Sequence, residues 1–241
     1  MGIRAGIRVG IRVGIRMEMG KMKKLAIFLA SALAITTLSA VATPAQAAIK
    51  CAQATAKAHT PGKVVQPTKA ANPLPKKFTF TTNCGVIEIT LNPKAPITIT
   101  SLAALIKGKY YDNSLCHRLT TQGLFVLQCG DPTLTGAGNP TGWKGYLDEN
   151  LPKNATNNYP VGTVAMANSG PGTNGSQVFF VYSNTTLGPN YTIWGRITKG
   201  LDIVQYVAKQ GAITKDSSGQ IVYAGDGFTA QPVQIITAKV S

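Results

Sequence analysis

The sequence predicts a mostly β domain, a closed barrel of short strands with two α-helices covering its ends. Three observations lead there. The stretch from Phe78 to Val240 has about 163 residues, the size of one compact domain. Short apolar runs with strand-like alternation recur along it. Two segments instead repeat their apolar residues at helical spacing.

Residues 1–47 stand apart from this domain. The repeat "GIRAGIRVGIRVGIR" puts glycine at every fourth position and offers no packing face, so it is excluded from the fold. Lys21, Lys23 and Lys24 then precede an uncharged run from Leu25 to Val41, followed by Ala45-Gln46-Ala47. A basic start, an apolar middle and a small-x-small site read as a signal peptide cleaved after Ala47. The run is short for a transmembrane anchor, so no stable membrane insertion is expected after processing. Residues 48–77, rich in Ala, Pro, Thr and Lys, read as a flexible linker, leaving 78–241 as the folded domain.

The chain is basic, with net charge +15. Seven of its 24 Lys and Arg and one of its nine Asp and Glu lie in residues 1–47, which leaves +9 for the mature part. Those charges are scattered, without the basic helix or aromatic-studded stripe of a nucleic-acid binder, so no nucleic-acid partner is expected.

Element by element, "KFTFTTNCGVIEITL" reads as two alternating strands around a turn at Asn83-Cys84-Gly85. "ITITSLAALIKGKYY" reads as a helix with Leu102, Leu105 and Ile106 on one face and a stop at Gly108. Short strands follow at Leu119, Phe125–Leu127, Val164–Met166, Val178–Tyr182 and Thr192–Ile197. "LDIVQYVAKQG" is the second helix, ended by Gly211, and "VQIITAKV" the last strand.

Several chemistries are excluded by what is missing. His59 and His117 are the two histidines, and His59 falls in the linker. There is no GxSxG turn, HExxH helix or glycine-rich phosphate loop. Cys116, Cys129 and one histidine make too small a zinc set. No metal or other cofactor is expected. In an exported chain the four cysteines are expected to be oxidised. Cys116 and Cys129 sit at the outer ends of a strand pair joined by "LTTQG", which suits a cross-strand bridge, and Cys51 would then pair with Cys84.

Two blocks, "CHRLTTQGLFVLQCGD" and "MANSGPGTNGSQVFF", occur in this order, with "YTIWGRI" after them. They resemble the signature blocks of the cyclophilins, peptidyl-prolyl cis-trans isomerases, and the likeness runs from about Phe78 to Val240. The resemblance implies an eight-stranded antiparallel barrel capped by two helices, with a substrate groove on its outer face. It implies catalytic roles for Arg118, Phe125 and Gln128. It places Val126, Phe179, Leu187 and Tyr191 around a proline pocket, with Ala167, Asn168 and Gln177 along the groove. Strand alternation, however, sets Phe125 with Leu127 and away from Val126 and Gln128, so a local bulge is expected there.

Three departures from the family pattern stand out. "LTTQGL" is two residues longer than the usual turn, Tyr191 stands where many members carry histidine, and Thr186 where eukaryotic members carry tryptophan. His117, next to Arg118, reads as structural.

The function so implied is a monomeric, exported foldase that accelerates X-Pro isomerisation in proline-containing polypeptides, secreted or held in the cell envelope. The alternative is a proline-peptide binding module or chaperone of the same fold with little turnover. A structural envelope protein accounts for the charge but not for the groove residues.

Overall fold

The computed structural model describes residues 48–241; the expected signal peptide and its expected cleavage after Ala47 lie outside the described residues. None of the described helices is long and apolar enough to cross a membrane.

The first hairpin forms as its pattern dictates. In β1 (Lys77–Thr82), Phe78, Phe80 and Thr82 are buried in alternation, and in β2 (Gly85–Leu91) Ile87, Ile89 and Leu91 are. Helix α1 (Pro96–Lys107) starts on a proline, whose fixed φ suits a first turn. Its N-cap is Ala95, which cannot cap through a side chain, and its first turn has no acid. Glu149, far along the chain, supplies both functions. Its carboxylate accepts from the Ile97 and Thr98 amides at 3.0 and 2.8 Å and from Thr98 Oγ1 at 2.8 Å.

After α1 come β3 (Ser114–Leu115), β4 (Arg118–Thr120), β5 (Val126–Cys129), β6 (Thr163–Met166), β7 (Val178–Val181) and β8 (Ile193–Lys199). Helix α2 (Leu201–Gln210) follows, with Ile203, Val204 and Val207 buried. The chain ends with β9 (Ala212–Lys215), β10 (Ile221–Ala224), β11 (Asp226–Thr229) and β12 (Gln234–Val240).

The domain is mostly β with two helices, but the expected closed eight-stranded barrel needs correction. The described strands form one sheet of twelve, in the order β10-β9-β11-β4-β5-β7-β6-β8-β2-β1-β12-β3, and it is open. Its ladder stops because β3 and β4 belong to one segment that changes partners. Ser114 and Leu115 pair with β12, whereas Arg118 to Thr120 pair with β5 and β11. Between them, Cys116 donates its amide to Val233 and His117 to Gln128, one toward each neighbour. Strands β9, β10 and β11 extend the sheet beyond the strands read from the sequence.

The sheet's two faces bury separate clusters. Phe78, Phe80, Leu105, Tyr111, Phe180 and Trp194 belong to the large core under α1 and α2. Each such side chain contributes about 1.5–3 kcal/mol on burial. Val126, Tyr159, Ala165, Phe179 and Val181 form a smaller cluster, and it carries the site.

The segment 48–76, expected as a flexible linker, has no helix or strand yet lies along the domain as a strap. The Cys51–Cys84 disulfide pins its start, and Ala52 and Asn83 exchange hydrogen bonds of 2.8 and 2.7 Å. Gln234 Oε1 accepts from the Thr55 amide at 2.7 Å. Further on, Val64 is buried and its carbonyl accepts from the Trp143 indole at 2.7 Å. A composition poor in large apolar residues thus rules out a core but not a docked strap, because beyond the disulfide the strap attaches mainly through its own backbone groups, which side chains and backbone of the domain satisfy.

Candidate active site

Arg118, at the start of β4, stands opposite Gln128 on β5, which stands opposite Phe179 on β7, which stands opposite Ala165 on β6. Directly paired residues project to the same side of a sheet, so register alone lines these side chains up. Arg118, Gln128 and Phe179 border a cavity of about 120 Å³. Val126, Phe179, Leu187 and Tyr191 form its apolar walls, and Arg118, Gln128, Ala167 and Asn168 its polar side.

Of the residues implied by the resemblance, Phe125 is absent from this cavity. It lies just before β5, its ring 6.0 Å from that of Tyr182, in a separate groove of about 480 Å³ beside α2. Leu124 takes the place at the pocket. The reason is phase: Val126 and Gln128 face the pocket, so Phe125 and Leu127 must face away, and no bulge resets the register of β5.

The aromatic wall is braced from behind. Phe179, Tyr191 and Tyr159 form three edge contacts, with centroids 5.7, 5.9 and 6.2 Å apart. Burial pushes the Tyr159 pKa up to about 12, so its hydroxyl stays protonated. It donates to the Tyr191 carbonyl at 3.1 Å and accepts from the Tyr191 amide at 3.0 Å, holding that residue by both backbone groups. Tyr159 is fully buried and carries no motif, so its role was not legible in the sequence.

A directional hydrogen-bond chain crosses the polar side. Arg118 Nη1 donates to Gln128 Oε1 at 3.2 Å, and Gln128 Nε2 donates to Gln177 Oε1 at 2.8 Å. Gln177 Nε2 then donates to the carbonyls of Gly136 and Gly138 at 2.9 and 3.1 Å. Arginine can only donate, so Gln128 must turn its oxygen to Arg118, and each following amide is oriented in turn. The receiving loop is itself ordered by Asp131. Burial alone would raise this carboxyl's pKa, but hydrogen bonds from Thr133, Gly138 and Gly136 outweigh it and hold the pKa below the usual value. Gly130 lets these elements meet: its φ is +94°, and any Cβ there would collide with the Ser176 carbonyl.

At its other end the chain is anchored by a residue the sequence did not single out. Arg118 Nε and Nη2 donate to the two carboxylate oxygens of Asp226 on β11, at 2.8 and 2.6 Å. This bidentate pairing raises the Arg118 pKa and lowers that of Asp226. Three of the guanidinium's five N–H groups are engaged, which leaves one on each terminal nitrogen for another acceptor.

The glycine-rich loop after β6 is folded by side-chain amides. Asn168 donates to the Asn190 carbonyl at 2.8 Å, Asn174 donates to Asp148 Oδ1 at 2.8 Å, and the Gly172 amide donates to Asp148 Oδ2 at 3.0 Å. Ala167 and Asn168 thereby line both the main cavity and a smaller neighbouring one that includes Gln177. His117 is buried; desolvation lowers its pKa against the pull of Asp131, so the ring is neutral near pH 7. Cys116 and Cys129 are joined by a disulfide between the strands carrying Arg118 and Gln128.

Residues 77–240 match the family described as cyclophilin type peptidyl-prolyl cis-trans isomerase. This chain belongs to that family. A probable peptidyl-prolyl cis-trans isomerase B of Mycobacterium leprae is 40% identical over 172 residues, covering 65% of this chain and 58% of that protein. One from Mycobacterium tuberculosis is 37% identical over 199 residues, covering 74% of this chain and 60% of the relative. The chain thus spans somewhat under two thirds of these mycobacterial cyclophilins. Among solved structures, a Cryptosporidium parvum cyclophilin type isomerase superposes with a TM-score of 0.55 at 24% identity, covering 69% of this chain and 97% of that one. That likeness supports the cyclophilin fold. Thr186, at the departure from the eukaryotic pattern, is exposed and accepts from the Asn157 amide at 2.9 Å.

Proposed function

We propose that this cyclophilin is a peptidyl-prolyl cis-trans isomerase acting on proline-containing polypeptides outside the cytoplasm. The observation that carries the reading is a donor-bearing Arg118 at the rim of an apolar pocket, held in one orientation by Asp226 and Gln128.

Rotation about an X-Pro bond is slow because amide resonance must be broken, at a cost of about 18–20 kcal/mol. No proton need be removed and no covalent intermediate formed. The pocket walls Val126, Phe179, Leu187 and Tyr191 hold the proline ring, while the groove side at Ala167 and Asn168 fixes the flanking chain. The two uncommitted N–H groups of Arg118 bond the twisted amide, whose nitrogen gains lone-pair character as resonance is lost. That interaction is stronger in the twisted state than in either planar one, which is what lowers a barrier. The disulfides at Cys51–Cys84 and Cys116–Cys129 support export, since such bonds persist in oxidising compartments.

The test is isomerisation of a proline tetrapeptide by wild type, Arg118→Ala and Arg118→Lys. Loss of the donor should lower kcat about 10²–10³-fold, the scale of a single oriented donor. Lysine should restore little, because it keeps the charge without the planar fork. Equal activity in wild type and Arg118→Ala would reject the assignment. An inactive wild type that still binds the peptide would make the protein a binding module.

A further inference from the structure

The face that carries the site does not end at Arg118. Strand β11 pairs with β4 through Asp226–Thr120 and Gly227–Leu119, where that pairing ends, and Asp226 bonds Arg118 across it. Phe228, two residues after Asp226, is exposed on the same face of β11. Phe228 pairs with Ile213 on β9, and Ile213 with Tyr223 on β10. Opposed residues share a face, so one cross-strand row runs Phe179, Gln128, Arg118 and a second runs Phe228, Ile213, Tyr223, the two joined on β11 where Asp226 bonds Arg118. The first row is the site; the second is apolar and open to solvent. Phe228 is 51% exposed and Tyr223 76%, and Ile221, two residues before Tyr223 on the same face, is 68% exposed. A folded domain gains nothing by presenting three large apolar side chains this way, and such a patch marks an interaction surface.

We propose that this hairpin extension is a docking platform for an apolar segment of the same unfolded polypeptide whose proline occupies the pocket. The inference rests on the isomerase reading above and adds to it the class of client: a chain with large apolar residues well to one side of its proline. Continuity with the groove identifies the occupant, because a chain leaving the pocket past Arg118 runs directly onto Phe228. Strand β10 is also the terminal strand of the sheet, so one of its edges is open for backbone pairing with an extended chain.

The spacing sets a ruler. From β7, which bears Phe179, β11 is three strands away and β10 five. Strands lie about 4.8 Å apart, which puts Phe228 roughly 14 Å and Tyr223 roughly 24 Å from the pocket along the sheet. An extended chain covers about 3.3–3.6 Å per residue, so the apolar residues belong about four and about seven positions from the proline. A tetrapeptide is too short to reach Tyr223.

The probes are a proline tetrapeptide and two peptides of about twelve residues, with phenylalanine and leucine about four and seven positions from the single proline. In one peptide they precede the proline, and in the other they follow it. Calorimetry measures binding to wild type and to the double variant Ile221→Ser with Tyr223→Ser, both substituted sites being exposed. One long peptide should bind wild type more tightly than the tetrapeptide, because the platform lies on one side of the pocket. The double variant should bind that peptide about tenfold more weakly, the scale of losing part of one aromatic burial, while its tetrapeptide binding and isomerisation are unchanged. Tetrapeptide turnover by wild type tests the isomerase reading separately, so the two failures are distinguishable. Long peptides that bind no tighter than the tetrapeptide would overturn the platform, as would an equal loss on all three. So would sedimentation showing a wild-type dimer that the double variant abolishes, since the patch would then serve self-association.

Discussion

Arg118 on β4 and Asp226 on β11, 108 residues apart in sequence, are joined by two hydrogen bonds of 2.8 and 2.6 Å across neighbouring strands. Both side chains are partly exposed, at 40% and 54%. A pair so exposed contributes only about 0–1 kcal/mol to stability. Its value lies in orientation, because a guanidinium gripped along one edge presents its remaining donors in a fixed direction.

Asp226→Asn should therefore leave the melting temperature nearly unchanged yet lower kcat/KM about five- to tenfold, the scale of one net hydrogen bond. In an Arg118→Ala background it should cost nothing further. A double-mutant cycle on tetrapeptide isomerisation checks this.

The pH dependence has a definite sign. Pairing with Arg118 lowers the Asp226 pKa from its ordinary value of 3.8. The carboxylate is therefore more than half ionised at any pH above 3.8, and the pair is lost as pH falls through the lower, folded value. An Asp226-dependent decline in activity on acidification should have its midpoint below pH 3.8. A wild-type profile with its midpoint above 3.8, absent in Asp226→Asn, would contradict this.

Phe125 and Leu124 separate the reading by resemblance from the observed geometry. Phe125→Ala should leave tetrapeptide turnover within about twofold, since it removes no contact to the reacting amide. Leu124→Ala should weaken peptide binding by opening one wall of the pocket. Measured KM and kcat for the two variants decide between the assignments.

Reduction should destabilise the fold in two unequal steps. The Cys116–Cys129 bond closes a separation of 13 residues and Cys51–Cys84 one of 33. Chain entropy assigns them about 3 and about 4 kcal/mol. Denaturant melts of Cys116→Ser/Cys129→Ser and Cys51→Ser/Cys84→Ser should show the second pair costing more.

Glu149→Ala should unseat the start of α1, whose own residues offer no cap. The expected loss is about 1–2 kcal/mol, typical of a removed N-cap. In a domain of this size that corresponds to a melting temperature lower by roughly 3–6 °C.

What the sequence determined by itself was whatever depends on local period and on motif. Alternation in "KFTFTT" and "GVIEITL" is enough to place β1 and β2, since one face must be buried and a slip of one residue would reverse it. The spacing of Leu102, Leu105 and Ile106 is enough to place α1. The two signature blocks brought together Arg118, Gln128 and Phe179 at one pocket, and the segment "YTIWGRI" added Tyr191. Strand β10 was not read because Ile221, Val222 and Tyr223 are all exposed, and without a covered face there is no alternation to see. Only the tertiary structure decided the partners. Asp226 reaches Arg118 through the register of β11 on β4, Glu149 reaches α1 from a distant loop, and beyond Cys51 the strap's backbone groups are taken up by Gln234 and Trp143, far along the chain. Phe125 turns away from the pocket because it is out of phase with Val126 and Gln128, whereas Leu124 is in phase with them and lines it. Local pattern sets which way a side chain points within its element; which element stands opposite is set by how the whole sheet closes its hydrogen bonds.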